Sequence, residues 1–230
     1  MSGGGTVRIA FLMLAMCGTL RAADTPTDDE KKTIAALVKL GGKATIDPTN
    51  LHPDARVTVT FTEITDATVA AIKKHTHVGS LTALDAKKCG EKSYTALKEV
   101  PHLRRLVLSS SVQTAKTVAI LAEYGELRQL ALPAGGLSDA ELAAVKKLKH
   151  LEMLDVSDNA GITDKAMATV KELERLEILY FSNTAVSDRG LFELKGLDGL
   201  RTLYATNTKV TAEGAMKFAD SMPNLRQVRR

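Results

Sequence analysis

This 230-residue chain contains no tryptophan, and only 4% of its residues are aromatic. A core without large rings has to be assembled from Leu, Val, Ile, Ala and Met, which favours regular stacking of like aliphatic side chains. Long apolar runs are missing too, since none approaches the ~20 residues that span a bilayer as a helix. Cysteine occurs only as Cys17 and Cys89. The chain also lacks Gly-x-x-x-x-Gly-Lys-Ser/Thr, Gly-x-Gly-x-x-Gly, Gly-x-Ser-x-Gly and His-Glu-x-x-His. No nucleotide, dinucleotide, serine-hydrolase or zinc-protease chemistry is therefore signalled. What remains is 44% hydrophobic and 25% charged with a net charge of +4, the balance of a folded soluble protein.

Residues Val7 to Leu20 carry one basic residue, Arg8, and an uncharged apolar run from Ile9 to Met16; the small pair Ala22-Ala23 then precedes Asp24. This pattern predicts a secretory signal peptide over residues 1–23, cut near Ala22 or Ala23, and hence an exported protein, periplasmic or extracellular. The stretch Leu14-Ala15-Met16-Cys17 offers a second reading, a lipoprotein box in which Cys17 takes a lipid anchor, although Met16 stands where such a box wants a small residue. Cleavage removes Arg8 and Arg21 and no acid, which lowers the net charge from +4 to +2. It also leaves Cys89 as the sole thiol, so an intramolecular disulfide is excluded and stability has to come from packing.

Self-similarity dominates the rest. Leu-x-x-Leu-x-Leu or a close variant begins at Leu81, Leu103, Leu127, Leu151, Leu176 and Leu200, with a truncated copy at Leu225, at spacings of 22, 24, 24, 25, 24 and 25. A degenerate copy at Asp54, with Val57 and Val59 in its apolar places, brings the prediction to seven full repeats plus a terminal strand over residues 54–230. Within one unit Leu151, Leu154 and Val156 have strand spacing, while Met167, Val170 and Leu173 have helical spacing. Each unit is therefore a strand followed by a helix, and only stacking buries its apolar residues.

Thr65-Asp66, Ser138-Asp139, Thr163-Asp164, Ser187-Asp188 and Thr211-Ala212 mark helix starts. The hydroxyl accepts from an otherwise unpaired N–H, and a carboxylate there favours the positive end of the helix dipole. Ser138 and Glu141 have capping-box spacing. Ahead of the repeats, residues 28–40 place Ile34, Ala35, Leu37 and Val38 on one face before Gly41-Gly42. This predicts an N-terminal capping helix within residues 24–53, followed by an irregular connection bracketed by Pro48 and Pro53.

These motifs resemble the leucine-rich repeat family over residues 54–230, and the Ile/Val/Leu-Ser/Thr-Asp element is similar to its cysteine-containing and ribonuclease-inhibitor-like subclasses. The resemblance implies an α/β solenoid, a horseshoe with parallel strands on the concave face and helices on the convex face. It also implies that the ninth place of each repeat bonds the turn backbone. That place holds Thr62, Cys89, Ser111, Gly135, Asn159, Thr184 and Thr208, which gives Cys89 a structural role. The units at Leu81 and Leu103 depart from the pattern, with Glu91-Lys92-Ser93-Tyr94 and Val112-Gln113-Thr114-Ala115 replacing the usual element. Their helices are expected to be shifted or shortened.

Recognition by such a solenoid falls to its exposed strand positions. The second places carry Arg104, Arg128, Glu152, Glu177, Arg201 and Arg226. Across strands ~4.8 Å apart, Arg128 can pair with Glu152 and Glu177 with Arg201. The fifth places carry Asp85, Val107, Ala131, Asp155, Tyr180 and Tyr204, with Met153 and Ile178 at the third. Tyr and Arg are preferred anchors of protein interfaces, so the candidate partner-binding residues are Tyr180, Tyr204, Met153, Ile178, Arg201 and Asp155. Cross-strand aromatic packing that stiffens the sheet explains the same tyrosines without a ligand.

No catalytic, cofactor or metal site is expected. His75 and His77 lack the further ligands that zinc requires, and His102 and His150 share a place just before the first Leu of a repeat. The expected function is a non-enzymatic, exported scaffold that binds a protein partner. One alternative is a substrate-recognition adaptor of the ubiquitin-ligase type, against which residues 24–53 are too short for a docking domain. Another is polyanion or nucleic-acid binding through Arg104, Arg105, Arg128, Arg201, Arg226, Arg229 and Arg230, a stripe that Glu152 and Glu177 interrupt.

Overall fold

The computed structural model describes residues 25–47, 52 and 54–230. The expected signal peptide, Cys17, Pro48 and Pro53 fall outside the described residues. Helix α1 (Asp28–Lys39) comes first, then strand β1 (Lys43–Ile46). Strand–helix units follow: β2 (Val57–Thr65) with α2 (Asp66–Ile72), β3 (Val78–Lys88) with α3 (Glu91–Leu97), and β4 (Arg105–Leu108) with α4 (Ala115–Leu121). Next come β5 (Gln129–Ala131) with α5 (Asp139–Leu142), β6 (Met153–Asp155) with α6 (Asp164–Val170), β7 (Ile178–Tyr180) with α7 (Asp188–Glu193), and β8 (Thr202–Tyr204) with α8 (Ala212–Asp220). Strand β9 (Gln227–Arg229) closes the series. Among the described residues no helix is long and apolar enough to cross a membrane.

The nine strands form one sheet in chain order, with β1 antiparallel to β2 and every later pair parallel. The periodic leucines set this register: Leu106, Leu130, Leu154, Leu179 and Leu203 lie opposite one another on successive strands, and all are fully buried. They share one continuous core with Met167, Val170, Leu191 and Phe218 of the helices. Each such side chain contributes about 1.5–3 kcal/mol when taken out of water. A single coil has no second surface on which to bury them, so the units are stable only as a stack.

The helix entries tie each coil to the next. Asp139 accepts from the Thr163 N–H (2.8 Å) and hydroxyl (2.6 Å), Asp164 from the Ser187 N–H and hydroxyl (2.7 Å each), and Asp188 from the same two groups of Thr211 (2.7 Å each). Asp66 does the same for the Gly90 N–H (3.3 Å) and the Ser93 hydroxyl. The recurring acid, expected to act on its own helix dipole, is thus a clamp between units. The expected caps are present beside it: the Thr65, Thr163 and Thr211 hydroxyls accept from N–H groups of their own helices, and Glu141 accepts from the Ser138 N–H at 2.9 Å.

Three expectations need correction. Leu81 lies opposite Leu106 rather than Leu103, so it occupies the fourth place of its unit, and Thr82, not Asp85, lies opposite Val107. The cause is length, since β2 and β3 run for 9 and 11 residues while β4 to β9 have 3 or 4. In the later units a residue with positive φ just beyond the strand turns the chain away, namely Ser110, Ala134, Asp158, Asn183 and Asn207; β2 and β3 have no counterpart.

The helices of the two irregular units are not shortened, because α3 and α4 have 7 residues each, as α2 and α6 do. In α1 the buried face is Glu30, Thr33 and Leu37 with half-buried Ile34, while Ala35 and Val38 point to solvent. The turn of 3.6 residues groups these positions, and Glu30 tolerates burial because Arg56 reaches it at 2.7 Å. Strand β1 was not expected at all; its four residues alternate exposed and half-buried on the edge of the sheet.

Candidate binding face

Side chains at the third and fifth places alternate with the buried leucines and so stand on the other face of the sheet. The register puts Asp155, Tyr180, Tyr204 and Arg229 side by side on β6 to β9, and Met153, Ile178, Thr202 and Gln227 in the adjacent row. Tyr180 and Tyr204 stack with ring centroids 4.4 Å apart and planes 9° from parallel. The Arg229 guanidinium lies over the Tyr204 ring, 5.5 Å from its centroid. All six expected residues, Tyr180, Tyr204, Met153, Ile178, Arg201 and Asp155, are half-buried.

The electrostatics of the face come from cross-strand pairs. Arg128 pairs with Glu152, and Arg201 approaches Glu177 at 3.8 Å, as the spacing led one to expect. Arg104 departs from the expected solvated row: only 9% exposed, it pairs with Glu126 at 2.7 Å. Burial raises the Asp155 carboxyl above the usual range, against the Ser157 N–H that donates to it at 2.8 Å. Tyr180 is likewise raised, by burial first and then by the neighbouring Tyr204 and Asp155. Burial pushes the Arg105 guanidinium the other way, down from its ordinary value.

Elsewhere the polar residues have structural work. The buried Cys89 thiol donates to the Ile64 carbonyl at 3.6 Å, and burial raises its pKa, which agrees with a turn-bonding rather than a reactive role. His102 stacks on His52, with centroids 4.1 Å apart. Among the described residues no group of three or more His, Cys, Asp or Glu converges on a point.

No protein-family model matches the chain, and no curated protein does either. Solved structures do. An internalin from Listeria monocytogenes superposes with a TM-score of 0.57 at 21% identity, covering 74% of this chain and 45% of its own. The leucine-rich repeat ectodomain of the receptor kinase SOBIR1 from Arabidopsis thaliana gives 0.40 at 25% identity, covering 55% and 68%. Together with the parallel leucine register, the internalin match decides the architecture. The fold is a leucine-rich repeat solenoid. This chain spans less than half the length of that internalin, so the likeness extends to the fold alone. In leucine-rich repeat terms, the tyrosine pair stands on the strand face, on two consecutive coils near the C-terminal end.

What the repeat pattern found and missed on this face divides cleanly. The tyrosine pair and both ion pairs were visible because their units keep a spacing of 24 or 25 residues. The burial of Arg104 was not, since it depends on a contact with Glu126 in the neighbouring unit, nor was the replacement of Asp85 by Thr82, which depends on the long strands β2 and β3.

Proposed function

We propose that this protein is a non-enzymatic binding scaffold, exported by a signal peptide over residues 1–23, whose leucine-rich repeat strand face recognises a protein partner through Tyr180, Tyr204, Met153, Ile178, Arg201 and Asp155. The observation that carries the reading is the Tyr180–Tyr204 stack. Two parallel rings held by the strands below them lose little freedom on binding, and large amphipathic side chains set in this way are what protein interfaces use as anchors. Apolar flanks from Met153 and Ile178 and a polar rim from Arg201 and Asp155 complete such a patch. The polyanion alternative gains less support, because Arg128 and Arg201 are offset by neighbouring glutamates and Arg104 is buried.

The test is the double variant Tyr180→Ala/Tyr204→Ala. A partner captured from the cell envelope by cross-linking to the wild type and then purified is expected to bind the variant at least about 30-fold more weakly, the scale of a hot-spot loss near 2 kcal/mol. The melting temperature should change little. Undiminished affinity in a variant that has lost stability would assign the stack to the sheet instead. N-terminal sequencing of the mature chain tests export; a start near Asp24 supports it.

A further inference from the structure

The tyrosine stack has two outer faces, and a cation already lies over one of them. The ring centroids are 4.4 Å apart with planes 9° from parallel, near the ~4.8 Å between neighbouring strands, so the rings stand face to face along their row. That row runs Asp155, Tyr180, Tyr204, Arg229. The outer face of Tyr204 is therefore turned to β9, where the Arg229 guanidinium lies 5.5 Å from the ring centroid. This is within the ~6 Å at which a cation is attracted to the negative face of an aromatic ring. The outer face of Tyr180 is turned the other way, to β6, and the residue opposite it there is an acid, Asp155.

Asp155 is an acid without a base. Among the described residues it makes no ion pair, whereas Glu152 and Glu177 pair with Arg128 and Arg201. The Ser157 N–H donates to it at 2.8 Å. Burial raises its pKa, and Asp158 adds a like charge that raises it further. A cation set beside such a carboxyl favours the ionised form and is itself attracted. Arg105 is the basic residue that acts on Tyr180, and Asp47 acts on Arg105 more strongly than Tyr180 does. Met153 and Ile178 flank the position in the adjacent row, and Ala131, next in the row beyond Asp155, has only a methyl group.

We propose that this end of the stack receives an arginine side chain of the protein partner, whose guanidinium lies on the outer face of Tyr180, as Arg229 lies on Tyr204, and donates to the Asp155 carboxylate. The aliphatic stem of that arginine crosses Met153 and Ile178. A guanidinium suits the position better than an ammonium, because its flat face stacks on a ring while the N–H groups at its edge bond a carboxylate. Acidic side chains are turned away by Asp155 and Asp158. The inference rests on the reading of this face as a protein-binding surface, and it supplies the chemistry that the partner carries.

The probe is N-acetyl-arginine methylamide, titrated into the protein and followed by the NMR shifts of the β6 and β7 backbone amides. Its citrulline analogue, of the same shape and without charge, is the comparison. Saturable shifts are expected with the arginine compound, and at least about fivefold weaker binding with the citrulline compound. Asp155→Asn and Tyr180→Leu should each weaken the arginine compound by about fivefold or more, while Asp85→Asn, an acid outside the row, should bind it as the wild type does. Circular dichroism verifies that the variants are folded. No saturable shift, equal affinity for the two compounds, or undiminished affinity in Asp155→Asn would each overturn the proposal. Any of these leaves the protein-binding reading standing, because that is judged separately by Tyr180→Ala/Tyr204→Ala against the captured partner.

Discussion

Asn159 makes five hydrogen bonds with one side chain. Its amide donates to the carbonyls of Leu132 (3.0 Å), Val156 (2.9 Å) and Ser157 (3.0 Å), while its oxygen accepts from the N–H groups of Gly135 (3.0 Å) and Leu137 (2.9 Å). Two units share it because Gly135, at the same place one coil earlier, has no side chain with which to bond its own turn. A Cβ there would come within 2.8 Å of the Gln113 Cγ. Other units manage with one hydroxyl, such as Thr184 donating to the Phe181 carbonyl at 2.6 Å. Asn159→Ala strands several buried backbone groups and is expected to cost roughly 3 kcal/mol, against about 1 kcal/mol for Thr184→Ala. Denaturant midpoints decide this, and equal small losses would remove the special role of Asn159. The ninth place was legible as a turn-bonding position because only short polar side chains reach the backbone there. Its unequal load was not, since that depends on which neighbour lacks a side chain.

Helices gain their order in the stack from the aspartates at their first turns. Burial by itself would raise the Asp164 carboxyl, but hydrogen bonds from the Ser187 N–H and hydroxyl outweigh it and hold Asp164 below the usual carboxylate range. The Ser93 hydroxyl and the Gly90 N–H hold Asp66 down in the same way. A carboxylate whose folded pKa is depressed stabilises the protein above its unfolded value, about 4, and that stability is lost as pH falls through the folded pKa. The unfolding midpoint is therefore expected to drop on acidification below about pH 4, and Asp164→Asn, which has no charge to lose, should show a shallower drop. An acid limb identical in variant and wild type would contradict the clamp. Gly190 belongs to the same device, because a Cβ there would lie 2.5 Å from the Asp164 carboxylate. The Ser/Thr-Asp recurrence was readable along the chain, but its partner lies one coil away, where spacing within a unit carries no information.

Across the whole molecule, stability passes only between adjacent coils, so position in the stack matters as much as residue type. Leu179, fully buried with coils on both sides, is expected to cost about 2–5 kcal/mol as Leu179→Ala. Val228 occupies the corresponding place on β9 yet is half-buried, and Val228→Ala should cost about 1 kcal/mol. Chemical denaturation of both variants checks this; an equal cost would mean that the last coil is packed as tightly as the middle. Periodicity specified the strand–helix alternation, the aliphatic core and the parallel order of the coils, because burial of repeated leucines has one economical solution, stacking in register. Packing in three dimensions settled the rest. A three-residue phase difference in the long strands brings Thr82 instead of Asp85 into the tyrosine row, and Arg56 meets Glu30 across the first helix. Such contacts arise from alignment between units, and a slip in one irregular unit leaves no trace in a period read along the chain.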